Sequence, residues 1–266
     1  MNAVAKVLDD VKAQGRAALI AYYPVGYPTV EGSERAIATL VESGADIIEV
    51  GLPYSDPVLD GPVIQVAAEH ALRSGTRVAD VFKGVGAAVN AGAPAVVMSY
   101  YNPILQYGLE RFAADLAAAG GSGVILPDLT PDVAEDWLAV AGAHGLECTF
   151  LLAPSSTQER IHLTVAATTG FIYAASLMGV TGERATVGSQ AERLVRDTRA
   201  AGAKHVCVGL GVSTRDQAAD VARYADGVIV GSAFVRCMTE SAEETVGLAA
   251  LSAKTKELAD GVRSHL

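Results

Sequence analysis

Cysteine is scarce in this chain of 266 residues, with only Cys148, Cys207 and Cys237 present. An odd, widely spaced set builds neither a disulfide framework nor a zinc site. Cys148 and Cys207 sit in apolar runs and read as small buried hydrophobes. Histidine is equally sparse: His70, His144, His162, His205 and His265 form no HxH or HxxxH pair, which speaks against a metal site. Basic residues are outnumbered, with 20 Lys and Arg against 30 Asp and Glu, for a formal net charge of −10. That balance argues against nucleic acid, whose phosphates require a basic face. A small phosphate remains possible, provided backbone N–H groups supply most of the contacts. Residues 84–109 carry no charge, yet Asn90, Pro94, Asn102, Pro103 and Gln106 interrupt any apolar run long enough to span a bilayer. The opening Met1-Asn2-Ala3-Val4 reaches Asp9-Asp10 quickly, so no signal peptide is expected and a cytoplasmic, soluble chain is the reading.

Half of the residues are apolar and 19% are charged, enough for a large core under a soluble surface. Apolar runs of strand length fall at residues 18–23, 46–50, 95–100, 123–126, 146–152, 171–175, 205–209 and 227–230. Most lack polar alternation, as strands covered on both faces do. Between them lie segments of helical period at residues 30–43, 62–73, 78–90, 105–119, 131–143, 157–168, 189–201 and 214–223, with another at 4–14 before the first strand. Several close on a glycine just ahead of the next strand, namely Gly44, Gly120, Gly145 and Gly202, a capping pattern typical of βα units. Eight such units predict an α/β fold, a single (β/α)8 TIM barrel over residues 1–266. It carries an extra N-terminal helix and an extra helix after the second βα unit. Gly84 and Gly86 weaken the case for one regular helix over 78–90. The turn Pro24-Val25-Gly26-Tyr27-Pro28 is no GxGxxG, which disfavours a doubly wound sheet.

Barrel chemistry sits at the C-terminal ends of the strands. Glu49 is placed there, among apolar neighbours that would dehydrate its carboxyl and raise its pKa. A structural ion pair is an equal alternative on sequence alone. The following loop, residues 51–62, is long and holds Asp56 and Asp60; taken singly, both read as turn residues. Three glycine-bearing segments follow the last strands: Gly179-Val-Thr-Gly182, Gly209-Leu-Gly211 and Gly231-Ser232. Together at one rim they favour a phosphate site over plain turns.

The run Glu49-Val-Gly-Leu-Pro-Tyr-Ser-Asp-Pro-Val-Leu-Asp60-Gly-Pro closely resembles the signature of the tryptophan synthase α subunit family. Leu126-Pro-Asp-Leu129, Gly179-Val-Thr-Gly182 and Gly231-Ser-Ala233 support the resemblance, which extends from about residue 16 through the last βα unit. It implies retro-aldol cleavage of indole-3-glycerol phosphate to indole and glyceraldehyde 3-phosphate. Glu49 is then the general acid/base, and Asp60 accepts a hydrogen bond from the indole N–H. The resemblance also implies phosphate contacts at Gly182, Gly211, Gly231 and Ser232. Tyr173 and Thr181 would border the carboxylates, and Tyr22, Met98, Leu126, Leu210 and Ile229 would wall the indole pocket. Singly, each of these apolar positions is as readily ordinary barrel core. No cofactor is expected on this chain; pyridoxal phosphate belongs to the implied partner, a β subunit that receives indole in an α2β2 complex. Tyr27 and Leu177 depart from the family's commonest pattern, which bears on the partner face and loop closure. Three other readings stay open: a standalone lyase, a sugar-phosphate epimerase or isomerase, and a phosphate-binding barrel subunit with a mainly regulatory role.

Overall fold

The computed structural model describes residues 3–175, 184–209 and 211–264. Leu177, Gly179, Thr181, Gly182 and Leu210, singled out above, lie outside the described residues. The chain opens with α1 (Ala3–Ala13), β1 (Ala18–Pro24), α2 (Val30–Glu42) and β2 (Ile47–Gly51). Next come α3 (Pro62–Arg73), α4 (Val81–Ala91), β3 (Ala95–Met98), α5 (Tyr101–Tyr107), α6 (Leu109–Ala118) and β4 (Gly123–Ile125). Then follow α7 (Glu135–Ala143), β5 (Glu147–Thr149), β6 (Leu151–Leu152), α8 (Gln158–Ala167) and β7 (Ile172–Ala175). The last part holds α9 (Arg184–Ala200), β8 (Val206–Gly209), α10 (Arg215–Ala222), β9 (Gly227–Val230), α11 (Ser232–Thr239) and α12 (Glu244–Arg263).

All pairings are parallel, in the order β5-β4-β3-β2-β1-β9-β8-β7-β6. The two ends of that order, β5 and β6, are separated only by Phe150, so the chain itself closes the ring into a TIM barrel. The single strand expected over residues 146–152 is therefore two short ladders. Its first half bonds to β4 and its second half to β7, while the Phe150 carbonyl accepts from the Tyr173 amide at 3.0 Å. Staggered pairing of this kind is what closing a tilted barrel requires.

Local chemistry explains most helix boundaries. Thr29 caps α2 by accepting from the Gly32 amide, and Thr214 with Gln217 forms a capping box on α10. Pro62 opens α3 where its missing N–H costs nothing. The helix expected over residues 105–119 is broken at Gly108, whose φ of 96° ends α5 and starts α6. Residues 78–80 and 131–133 are single 3-10 turns ahead of α4 and α7. Despite its two glycines α4 is regular, because Gly84 lets it approach Val50 on β2. The expected extra helices are present: α1 before the first strand, and both α3 and α4 between β2 and β3. The helix expected over residues 189–201 begins at Arg184, and α11 and α12 complete the chain without having been anticipated.

At the N-terminal ends of the strands, Arg16 grips the Asp46 carboxylate with two bonds of 2.9 and 2.8 Å, and Lys12 of α1 reaches Asp226 at 3.1 Å. Chemistry is left to the opposite rim.

Candidate active site

Strand register decides which side chains face the barrel interior. Tyr22 on β1 is level with Glu49 on β2, and Glu49 with Val96 on β3. On the far side, Tyr173 is level with Cys207, Ala175 with Gly209, and Gly209 with Ile229. Because side chains alternate along a strand, the residues two positions on from these rungs share the inward face. Met98, Ala175 and Ile229 thus join Tyr22, Glu49 and Tyr173 around one cavity of about 530 Å³ at the C-terminal rim, a size suited to a small organic ligand. The loop after β2 closes one side with Leu59, Asp60 and Gly61; Gly211, Gly231 and Ser232 close another.

Of the residues expected in the site, the cavity brings together Glu49, Asp60, Tyr22, Met98, Tyr173, Gly211, Ile229, Gly231 and Ser232. Leu126 is not among the residues that line it. Met98 pairs with Ile125, so Ile125 takes the inward phase and Leu126 the outward one, where it is buried in the core and lines no part of the cavity. Sequence reasoning missed Ile64, Pro154 and Gln190, which line the cavity from α3, from the loop after β6 and from α9. It also missed Tyr100, whose hydroxyl donates to Asp60 Oδ1 at 3.2 Å. No spacing marks such residues; a search for polar groups in the loops after each strand would have raised Tyr100.

Glu49 is 2% exposed, and its Oε2 has no hydrogen-bond partner. Burial, and secondarily the charge of Asp60, pushes its carboxyl up to about 8, so the acid form dominates near neutrality. Among the described residues no basic group pairs with it, so nothing there supports the ion-pair alternative. Asp60 is also raised by burial, but the Tyr100 hydroxyl opposes that rise. The phenols of Tyr22 and Tyr173 are driven up by burial and by both carboxylates, so they stay protonated.

Two glycines make room for those phenols. A Cβ on Gly51 would lie 2.3 Å from the Tyr22 Oη, and one on Gly209 would lie 2.6 Å from the Tyr173 Oη. At the other end of the cavity Gly211 holds a left-handed φ of 70°, and Gly231 is the N-cap of α11. The first turn of a helix leaves N–H groups without intrahelical partners and presents a positive dipole end. Among the described residues no Lys or Arg lines the cavity, so an anion there draws on these amides and the Ser232 hydroxyl. Among the described residues, no cluster of three His, Cys, Asp or Glu side chains is placed to hold a metal ion, and no helix is long and apolar enough to cross a membrane.

The tryptophan synthase alpha chain family model matches residues 8–263. Among similar proteins, the tryptophan synthase alpha chain of Streptomyces avermitilis is 57% identical over 96% of this chain and 93% of its own. That of Streptomyces coelicolor is 54% identical with both chains fully covered. A ligand-free crystal structure of tryptophan synthase from M. tuberculosis superposes with a TM-score of 0.91 at 53% identity, covering 99% of this chain and 100% of that one. The alpha subunit from Legionella pneumophila keeps the fold at 33% identity, with a TM-score of 0.89 and 99% of each chain covered. On the length and depth of these matches, the chain belongs to the tryptophan synthase alpha chain family.

Proposed function

We propose that Glu49 and Asp60 divide between them the work of the family's lyase reaction, cleavage of indole-3-glycerol phosphate to indole and glyceraldehyde 3-phosphate. One observation carries this assignment. A dehydrated carboxyl that favours its acid form shares a single cavity with a second carboxyl that a hydroxyl helps to keep ionised. A hydroxyl donor on one carboxyl, and none on the buried Oε2 of the other, suits the two acids to opposite roles.

In the proposed mechanism the indole ring lies against Tyr22, Met98 and Ile229. Protonated Glu49 gives its proton to ring carbon C3, and positive charge develops toward the ring nitrogen. Asp60 accepts the N–H hydrogen bond and stabilises that charge. The Glu49 carboxylate then takes the proton of the hydroxyl on the adjacent side-chain carbon. That oxygen forms the aldehyde carbonyl as the carbon–carbon bond breaks, and the bonding electrons return to the ring. Indole and glyceraldehyde 3-phosphate result, with Glu49 again an acid and no water consumed. The phosphate is held at the far end by the amides around Gly211 and Gly231 and by the Ser232 hydroxyl. Thr181, Gly182 and Leu210 are assigned to the same site by their match to the family pattern.

The proposal extends to a cytoplasmic α2β2 complex in which a β subunit carries pyridoxal phosphate and receives the indole. Support comes from the loop that carries Asp60: Val58 is 79% exposed and Leu59 39% exposed, apolar surface beside the cavity suited to a protein partner.

The test is indole release from indole-3-glycerol phosphate by the purified chain, alone and with a β subunit. Cleavage that is lost in Glu49→Gln and accelerated by the partner supports the reading. Binding without cleavage under both conditions would leave only a regulatory subunit.

A further inference from the structure

The loop carrying Asp60 is held at its catalytic end chiefly by one phenol. Tyr100 follows β3, is 4% exposed and does not line the cavity. Its hydroxyl oxygen receives two successive amides of the loop, Val58 N–H at 3.2 Å and Leu59 N–H at 3.0 Å, and lies 3.2 Å from Asp60 Oδ1. The Gln65 side chain also donates to the Asp60 carbonyl, at 2.7 Å, which leaves the carboxyl free to turn. The Tyr54 ring packs on Tyr100 with centroids 5.1 Å apart, fixing the phenol from the same loop.

A phenol has one proton and two acceptor sites. Both acceptor sites are taken by N–H donors, so the O–H has one direction left, toward Asp60. We infer that Tyr100 is a positioning residue whose hydroxyl, oriented by the Val58 and Leu59 amides, donates to Asp60 Oδ1 and thereby keeps that carboxylate ionised and its Oδ2 turned to the substrate ring nitrogen. Amide donation into the oxygen polarises the O–H, so the bond to the carboxylate is a charge-assisted one. The arrangement also ties the loop to the carboxyl: when residues 58 and 59 leave their places, the phenol loses its orientation and Asp60 its donor. This inference deepens the role given to Asp60 above and rests on it.

The test is Tyr100→Phe in the full chain, with and without a β subunit. The ring and its packing on Tyr54 are retained, so the melting temperature reports whether the fold survives. The expected result is a fall in kcat of about 10- to 100-fold, as for loss of one hydrogen bond to a charged group, with KM changing far less. The acid limb of the kcat/KM profile should move to higher pH by about one unit or more. A second readout needs no turnover: the Asp60 side-chain carbon, followed by NMR in carbon-13-labelled protein and identified by its loss in Asp60→Asn, should titrate at higher pH in Tyr100→Phe. An Asp60 titration identical to the parent's overturns the inference, even if activity falls, because the loss then reflects packing alone. Should the parent chain release no indole at all, the proposed function falls, while the Asp60 titration still decides this inference.

Discussion

The Tyr22 hydroxyl stands where a side chain on Gly51 would begin: an added Cβ there lies 2.3 Å from Oη and 2.5 Å from Cζ. The contact involves the ring as well as its tip, and Tyr22 is 8% exposed, so the phenol has little room to yield. Gly51→Ala should push it into the cavity. Overpacking of this kind costs about 1–3 kcal/mol, and the displaced ring narrows the space for the substrate. Gly209→Ala should act likewise through Tyr173 on the opposite wall. Gly231→Ala is the milder comparison, since its nearest contact is Tyr22 Cδ1 at 3.3 Å. Melting curves and kcat/KM check the order; a Gly51→Ala variant with parental values of both would show that the phenol swings freely.

Glu49 should set the basic limb of the activity profile. It must start as the acid, and burial places its carboxyl at about 8, so kcat should decline as pH rises through that region. Glu49→Gln should lose about 10²- to 10⁴-fold of activity, the usual worth of a positioned acid/base. The same residue makes a stability prediction of opposite sense. A folded-state value of about 8 against the ordinary 4.5 means that Glu49 stabilises the fold fully only below 4.5. That contribution is lost as pH rises through 8. The neutral glutamine escapes this loss, so the variant should melt above the parent at pH 9 and level with it at pH 4. Equal melting at both pH values would mean that Glu49 is solvated.

These features were unequally visible in the sequence. Continuous apolar runs betray strands covered on both faces, and Glu49 stands out as the one acid in β2. Asp60 did not stand out physically; it was recognisable only as part of a long signature, since Asp-Gly alone reads as a turn. Leu126 lies one step past Ile125, the partner of Met98, and apolar composition alone does not report which of the two phases faces inward. The interruption at Phe150 depends on stagger between neighbouring strands, which a single strand does not encode. In α12 the buried face includes Gly247, Thr255 and Gly261, so its apolar stripe is broken and its helical period is faint. Tyr100 was read as the end of a strand, and its importance arises only when a loop from 40 residues away folds over it.

Two buried acids at the N-terminal ends of the strands should tilt stability in opposite directions with pH. Asp226 is raised by burial, but the Val206 amide, Arg199 and Lys12 outweigh that and hold it below the usual range. Its contribution is present above the unfolded value and lost as pH falls through the folded one. Asp226→Asn should therefore cost about 1.5–3 kcal/mol near neutrality, with the difference vanishing in acid. Glu147, 2% exposed, is pushed by burial up to about 8, opposed in part by the Ala5 backbone. It destabilises as pH rises from 4.5 through 8, so Glu147→Gln should gain stability at pH 9 and nothing at pH 4. Denaturant titrations at three pH values decide both, and matching slopes for the two variants would contradict the assignment.

The phosphate end should respond in binding rather than in chemistry. Its contacts are made equally in the ground and transition states, and uniform binding affects KM without affecting kcat. Ser232→Ala removes one hydroxyl from a site with no Lys or Arg among its described lining residues, so KM should rise by about 10-fold or more, as for a hydrogen bond to a charged group, with kcat preserved. Gly211→Ala differs in cause. An added Cβ meets nothing within 4 Å, yet the backbone holds φ at 70°, a region that costs an L-residue about 1–2 kcal/mol. The peptide should relax away from that conformation and carry its amide off the phosphate. Inorganic phosphate, tested as a competitive inhibitor, isolates this end from the ring and the carboxylates. It should bind more weakly to both variants and unchanged to Glu49→Gln, whereas weaker binding to Glu49→Gln alone would move the anion away from Gly211 and Ser232 altogether.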